Sequence, residues 1–161
     1  MFDKFGEFDS AAELNASAEG MLKEGDTDSI YILAEENGID KEDAEDYIDG
    51  AVPELVNVLM AAYGKLTVEE KELKLYEIMG DWLQYIRVRC QEDPAMAAAV
   101  RRKGKSLKGC IGALLKWSFQ NQKDVDKDII KAAGISAGKV TLGIPRMGRA
   151  KQIITEYYLG K

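Results

Sequence analysis

A short stretch, Gly104-Lys105-Ser106, matches the end of a phosphate-binding loop. In such loops, bare backbone amides wrap a phosphate, which requires a glycine five residues before the glycine of the Gly-Lys pair. This chain has Ala99 at that position, within a segment of helical pattern. We therefore expect Lys105 and Ser106 to end one helix and begin another, and we expect no nucleotide site.

Alternating carboxylates at Asp124, Asp126 and Asp128 resemble the first ligands of a calcium loop. The sixth position of that loop should be glycine and the twelfth a bidentate glutamate, but the chain has Ile129 and Ile135 there. The acids are better explained as residues at the start of a helix, where the positive end of the helix dipole favours them.

Histidine is absent from this sequence of 161 residues, and the two cysteines are Cys90 and Cys110. The chain thus lacks the usual neutral-pH base and the ligands of a zinc site. Both cysteines fall among apolar residues of helical pattern, which indicates buried free thiols. We expect no metal, no cofactor and no enzymatic activity.

Charge is distributed very unevenly along the chain. Residues 1–80 contain 21 acidic and 6 basic residues, whereas residues 81–161 contain 7 acidic and 16 basic residues. The overall net charge of −6 therefore hides an acidic half of −15 and a basic half of +9. Such asymmetry favours a charged partner, although attraction between the two halves would also account for it.

The acidic half contains a segment, Ile30 to Tyr47, with the rhythm of a helix-turn-helix motif. Its second helix has six acids and one lysine, so DNA would repel it. It is either a plain helical hairpin or a mimic of nucleic-acid charge that docks on a protein. The residues predicted to bind such a partner are Asp40, Glu42, Asp43, Glu45, Asp46 and Asp49.

In the basic half, cations cluster at the junction between two predicted helices. They are either nucleic-acid contacts or residues that suit the negative end of a helix dipole. The residues predicted to bind nucleic acid are Arg101, Arg102, Lys103, Lys105 and Lys108.

Helical periodicity runs through most of the chain and predicts a mainly α, compact multi-helix assembly. The only β-like run is residues 139–144. Pro53 is predicted to start a helix that Gly64 ends, and Thr67 with Glu70 to cap a further helix that continues to Cys90. The chain is thereby divided into an acidic N-terminal helical subdomain, 1–66, and a basic C-terminal helical domain, 67–161.

Residues Tyr85 to Gln122 resemble the PcfK-like proteins of conjugative plasmids and other mobile elements. The resemblance rests on an amphipathic helix, the sequence Glu92-Asp93-Pro94-Ala95, and a lysine-rich stretch, residues 103–108, that leads into a helix containing Trp117. The closing Tyr157-Tyr158-Leu159 is similar to the aromatic end of that family. Some family relatives are anti-CRISPR proteins that inhibit the RNA-guided nuclease of type II systems.

That resemblance implies a non-catalytic inhibitor that binds an RNA-guided effector nuclease or its guide complex in the cytoplasm of a bacterial host. The alternative is a nucleic-acid-binding accessory factor for conjugation or replication. No apolar run approaches the length of a membrane span, and the acidic opening residues do not indicate a signal peptide. Apolar positions on the last predicted helix would allow a homodimer.

Overall fold

Three short helices follow the N-terminal arm in the computed structural model, which describes residues 2–160. They are α1 (Ala11–Glu24), α2 (Thr27–Glu36) and α3 (Lys41–Ile48). The Ser10 hydroxyl accepts a hydrogen bond from the Glu13 amide at 3.2 Å and so caps α1. Asp26 caps α2 in the same way, through the Ser29 amide at 3.1 Å. The polar residues that precede the apolar stripes of α1 and α2 thus determine where these two helices begin, whereas Asp40 at the start of α3 makes no side-chain capping bond.

The fourth helix, α4 (Val58–Glu72), differs from the prediction at both ends. Pro53 lies in an exposed bend and starts no helix. The Asn15 side chain bonds both the amide and the carbonyl of Val56, at 3.0 and 2.9 Å, and so fixes the backbone just before Asn57. Asn57 caps the helix instead, and the helix continues through Gly64.

A break then separates α4 from α5 (Ile78–Glu92), where the prediction was one continuous helix from residue 67 to residue 90. Leu73 and Leu75 in this break turn inward and pack on the core. Thr67 and Glu70 are therefore interior residues of α4, and the capping pair predicted for them is wrong. The domain boundary predicted at residues 66 and 67 falls inside the same helix, and the division into two subdomains stays a prediction.

The second half continues with α6 (Pro94–Arg101) and α7 (Leu107–Gln120). Asp93 and Ser106 cap these helices with hydrogen bonds from the Ala95 and Gly109 amides, and Ser106 thus begins a helix as expected. A small excursion follows, made of β1 (Lys123–Asp124), α8 (Lys127–Ala132) and β2 (Thr141–Leu142). The last helix is α9 (Met147–Leu159).

The two strands pair antiparallel, with Lys123 opposite Leu142 and Asp124 opposite Thr141. They form the one sheet found in residues 2–160. The prediction of a mainly α assembly with a minor β element near residues 139–144 is therefore confirmed.

Buried apolar side chains form two clusters that meet on α4. The N-terminal cluster lies between α1, α2, α3 and the start of α4, and the C-terminal cluster lies between α4, α5, α6, α7 and α9. Ala61 belongs to the first cluster, whereas the neighbouring Ala62 and Leu66 belong to the second. One helix thus contributes to both cores, so the position of the acidic helices relative to the basic ones is set by α4.

Candidate functional site

Helix α3 presents the acidic surface that the sequence predicts. Ala44 and Tyr47 are buried in the N-terminal cluster, and this orients the acidic positions away from the core. The acidic face, defined as the six predicted partner-binding residues, is exposed or half-exposed throughout: Asp40, Glu42, Asp43, Glu45, Asp46 and Asp49. The structure thus brings these carboxylates together on one solvated surface.

The acidic face is not neutralised from within. Its one ion pair in residues 2–160 joins Glu45 Oε1 to Lys41 Nζ at 3.1 Å, inside the same helix. No cation of the basic half forms an ion pair with it in that part of the chain. Within residues 2–160, direct ion pairs with the basic half therefore do not account for the charge of α3.

A close approach of two glycines holds α3 in place. Gly38, in the turn between α2 and α3, has a φ of +66°, and a Cβ atom on it would lie 2.3 Å from the Gly64 carbonyl oxygen. A Cβ atom on Gly64 would lie 2.1 Å from the Asn37 carbonyl oxygen. Only glycine permits this contact, because the obstructing atoms are backbone atoms that cannot move aside.

The basic cluster predicted from the sequence is divided by the fold. Arg101 is only 1% exposed, so it cannot contact nucleic acid, and its assignment to that site is wrong. Its Nη2 atom donates to Asn37 Oδ1 at 2.6 Å, and its guanidinium lies 5.5 Å from the centre of the Phe2 ring. Burial lowers the pKa of Arg101 to about 10, although Glu7 and Glu69 oppose the shift, so the group stays charged at neutral pH.

Lys105 is half-buried and is committed to α9. Its Nζ atom donates to the Tyr157 carbonyl oxygen at 2.6 Å and lies 5.0 Å from the centre of the Tyr157 ring. The Tyr157 hydroxyl accepts a hydrogen bond from the Ser106 amide at 3.0 Å. Residues 104–106 thus join α6 to α7 and brace them on α9, as expected for a helix junction.

Three cations of the predicted cluster stay exposed, namely Arg102, Lys103 and Lys108. The backbone around them is constrained, because the Lys103 amide donates to Asp9 Oδ1 at 2.8 Å. Whether they contact nucleic acid stays a prediction.

Two charged residues that the sequence analysis missed organise this junction from α4. Lys65 is fully buried, and its Nζ atom donates to the carbonyl oxygens of Arg102 at 2.8 Å and Lys105 at 2.6 Å and contacts Glu7. Glu69 accepts from the Leu107 amide at 2.8 Å. Burial raises the pKa of Glu69, while the Leu107 amide and Lys65 partly oppose the rise. A signal existed, because Lys65 and Glu69 follow Ala61 at intervals of four residues on the buried stripe of α4.

The alternating acids of the second half have structural roles. Asp126 caps α8 by accepting from the Asp128 amide at 2.8 Å, and Asp124 pairs with Lys139 at 3.1 Å between the two strands. Within residues 2–160, no three acidic or cysteine side chains are grouped as a metal site requires. Cys90 and Cys110 are buried free thiols, which confirms the prediction for them, and burial raises the pKa of each to about 12.

No family model, no curated protein and no solved structure matches this chain. None of the helices in the described residues is long and apolar enough to cross a bilayer.

Proposed function

We propose that this chain is a non-catalytic inhibitor that docks the acidic face of α3 on a basic, nucleic-acid-binding surface of a partner protein. The observation that carries the proposal is the lack of neutralisation of that face, whose one ion pair within residues 2–160 is made by Lys41 of its own helix. An acidic helix that the rest of the molecule leaves unpaired suits a partner with the opposite charge.

Charge density supports nucleic-acid mimicry. The residues from Asp40 to Asp49 span about 15 Å along a helix axis, so the six carboxylates lie about 2.5 Å apart on average. Duplex DNA carries one charge per about 1.7 Å of its axis. A protein groove that binds a phosphate backbone therefore meets a comparable density of negative charge on α3.

The partner that we propose is an RNA-guided effector nuclease of a type II CRISPR system. The support for this choice is the resemblance of residues 85–122 to PcfK-like mobile-element proteins, together with the basic channels in which such nucleases hold nucleic acid. The function is then that of an anti-CRISPR protein, which acts by occupying a surface and needs no catalytic group.

The direct test is to preincubate the protein with purified effectors and their guide RNAs and to measure cleavage of target DNA. We expect inhibition that weakens as the salt concentration rises, because the contact is electrostatic. Unimpaired cleavage by a panel of orthologous type II effectors would contradict the choice of partner.

A pair of charge-matched variants tests the role of α3. The variant Glu42→Gln/Asp46→Asn/Asp49→Asn removes three charges from the acidic face, and we expect it to raise the inhibitory concentration about tenfold, equivalent to about 1.4 kcal/mol of binding free energy. The control, Asp81→Asn/Asp128→Asn/Glu156→Gln, removes three exposed charges elsewhere and should inhibit as the wild type does. Equal inhibition by all three proteins would show that α3 is not the docking surface.

A further inference from the structure

A groove in the basic half has no role in the proposed function. It encloses about 660 Å³ between the end of α7, the β1–β2 ribbon and the first turn of α9. Trp117, Leu142 and Ile144 supply apolar surface to it, and Lys123, Arg146 and Arg149 supply the charge. None of these residues belongs to the basic cluster predicted from the sequence.

The groove has a preformed shape because the ribbon is attached closely to α7. Gly143 is buried between Leu142 and Ile144, and a Cβ atom on it would lie 2.3 Å from the Ser118 carbonyl oxygen. This approach leaves the flanking Leu142 and Ile144 side chains 62% and 61% exposed. Apolar side chains that are held in solvent by the backbone beside them indicate a binding surface.

The charge of the groove is of one sign. No acidic residue lines it, and Lys123, Arg146 and Arg149 form no ion pair within residues 2–160. By contrast, Lys139 on the same ribbon is paired with Asp124. The unpaired cations therefore select an anionic ligand.

The start of α9 adds to this preference. Arg146 occupies the N-cap position and makes no side-chain capping bond, so the amides of the first turn lack the usual acceptor. Gly148 lies in that turn and lines the groove without a side chain to cover the backbone. The positive end of the helix dipole thus faces the same space as the three cations.

We propose that this groove binds single-stranded nucleic acid. Lys123, Arg146 and Arg149 hold the phosphates, while an unpaired base packs on Trp117 and the aliphatic side chains of the ribbon. A single strand is favoured over a duplex because only unpaired bases offer a free face to an aromatic ring. This activity is separate from the docking of α3, since it uses a surface of opposite charge on different helices.

The test is fluorescence anisotropy with labelled oligo(dT) and oligo(U) of about 20 nucleotides, compared with a duplex of equal length, at salt concentrations from about 50 to about 200 mM. We expect both single strands to bind more tightly than the duplex and to lose affinity as salt rises. No binding of either single strand at the lowest salt concentration would overturn the proposal and leave the groove to a protein partner. The assay contains no nuclease, so its result is independent of the proposed function.

Two triple variants with the same charge change locate the site. Lys123→Ala/Arg146→Ala/Arg149→Ala should weaken binding about tenfold or more and should reduce the slope of log affinity against log salt by about 2. Lys71→Ala/Lys74→Ala/Lys131→Ala, at three exposed lysines outside the predicted cluster, should change affinity by less than about twofold, because these cations do not line the groove. The opposite ranking of the two variants would overturn the assignment.

Tryptophan emission tests base packing on Trp117 separately from the binding of phosphates by the cations. Trp82 is 3% exposed, whereas Trp117 is half-buried and lines the groove, so quenching by oligo(dT) reports on Trp117. We expect the emission to be quenched and to saturate at the same oligonucleotide concentration as the anisotropy signal. We also expect Leu142→Ala to weaken binding without unfolding the protein, because Leu142 is exposed. Binding without any change in emission would contradict base packing on Trp117.

Discussion

Arg101 and Arg102 are adjacent in the sequence and have opposite surroundings. The Arg101 guanidinium is buried against Asn37 and Phe2, whereas Arg102 is exposed. Two other nitrogens of Arg101, Nε and Nη1, have no hydrogen-bond partner within residues 2–160. The positive charge of Arg101 therefore interacts with Glu7 and Glu69 inside the protein. These interactions and the bond to Asn37 only partly offset the free-energy cost of burying the guanidinium.

We expect Arg101→Ala to lower the free energy of unfolding by about 3 kcal/mol, because it leaves a cavity and removes the buried positive charge near Glu7 and Glu69. Arg102→Ala, the matched control one residue away, should change it by less than about 0.5 kcal/mol. Urea unfolding followed by circular dichroism measures both. If the two variants unfold with the same free energy, the buried contacts of Arg101 contribute nothing to stability.

At the scale of elements, the contact between the α2–α3 turn and α4 depends on two glycines, Gly38 and Gly64. It places the acidic helix against the helix that both cores share. Other glycines of the chain, such as Gly112 on the exposed side of α7, would have nothing within 4 Å of an added Cβ atom and serve no such contact.

We expect Gly64→Ala to destabilise the protein by about 3 kcal/mol, because its methyl group would overlap the Asn37 carbonyl oxygen. Gly112→Ala is the control, and it should stabilise the protein by up to about 1 kcal/mol because alanine is the better helix former. Thermal unfolding of the two variants should therefore shift in opposite directions. A Gly64→Ala protein as stable as the wild type would refute the close approach.

The excursion that contains β1, α8 and β2 has little of its own core. Ile130 is the one buried residue of α8, and Ile129 and Ile135 are 61% and 50% exposed. The segment between the strands, residues 125–140, has one buried anchor in α8 and should therefore open more readily than packed helices.

Amide hydrogen exchange should therefore be faster in residues 125–140 than in α6, where Met96, Ala97, Ala99 and Val100 are buried. Exchange followed by mass spectrometry of peptic peptides measures this difference. Equal protection of α8 and α6 would show that the excursion is packed as firmly as the core.

The whole molecule is joined at a buried charged junction on α4. Lys65 and Glu69 bind the backbone that connects α6 to α7, and Glu7 of the N-terminal arm contacts Lys65. The junction thus links the N-terminal arm to the C-terminal helices, and its protonation affects the stability of the entire chain.

Burial raises the pKa of Glu69 above its ordinary value of 4.5, so the folded state binds a proton more tightly than the unfolded state. Protonation of Glu69 therefore stabilises the folded state. This stabilisation is fully present below the ordinary pKa and is lost as the pH rises through the raised pKa. Glu69→Gln retains an acceptor for the Leu107 amide and removes the titration. We therefore expect the stability of this variant relative to the wild type to increase as the pH rises from about 4 to about 7.

Urea unfolding at a series of pH values measures this difference, and Glu156→Gln, the same change at an exposed site, is the control. If the free energies of unfolding of Glu69→Gln and the wild type differ by the same amount at every pH, the raised pKa of Glu69 is contradicted.

The sequence alone determined the helical class, the starts of α7 and α8 and the position of the minor β element. These features depend on local chemistry: Ser10, Asp26, Asp93, Ser106 and Asp126 each bond an amide within three residues of themselves. The exposure of the acidic residues of α3 also follows from the helical spacing of the apolar residues, since Ala44 and Tyr47 form the buried side of that helix.

Only the tertiary structure decided which charges are available to a partner. Arg101 and Lys65 look like surface cations, yet both are buried, because the contacts that enclose them come from residues distant in the sequence, such as Asn37 and Glu7. The same holds for α4, whose start at Asn57 depends on Asn15, and for the groove beside Trp117, which exists because Gly143 lies against α7. Local patterns specify what a segment prefers, whereas burial and close approach are set by segments that meet only when the chain is folded.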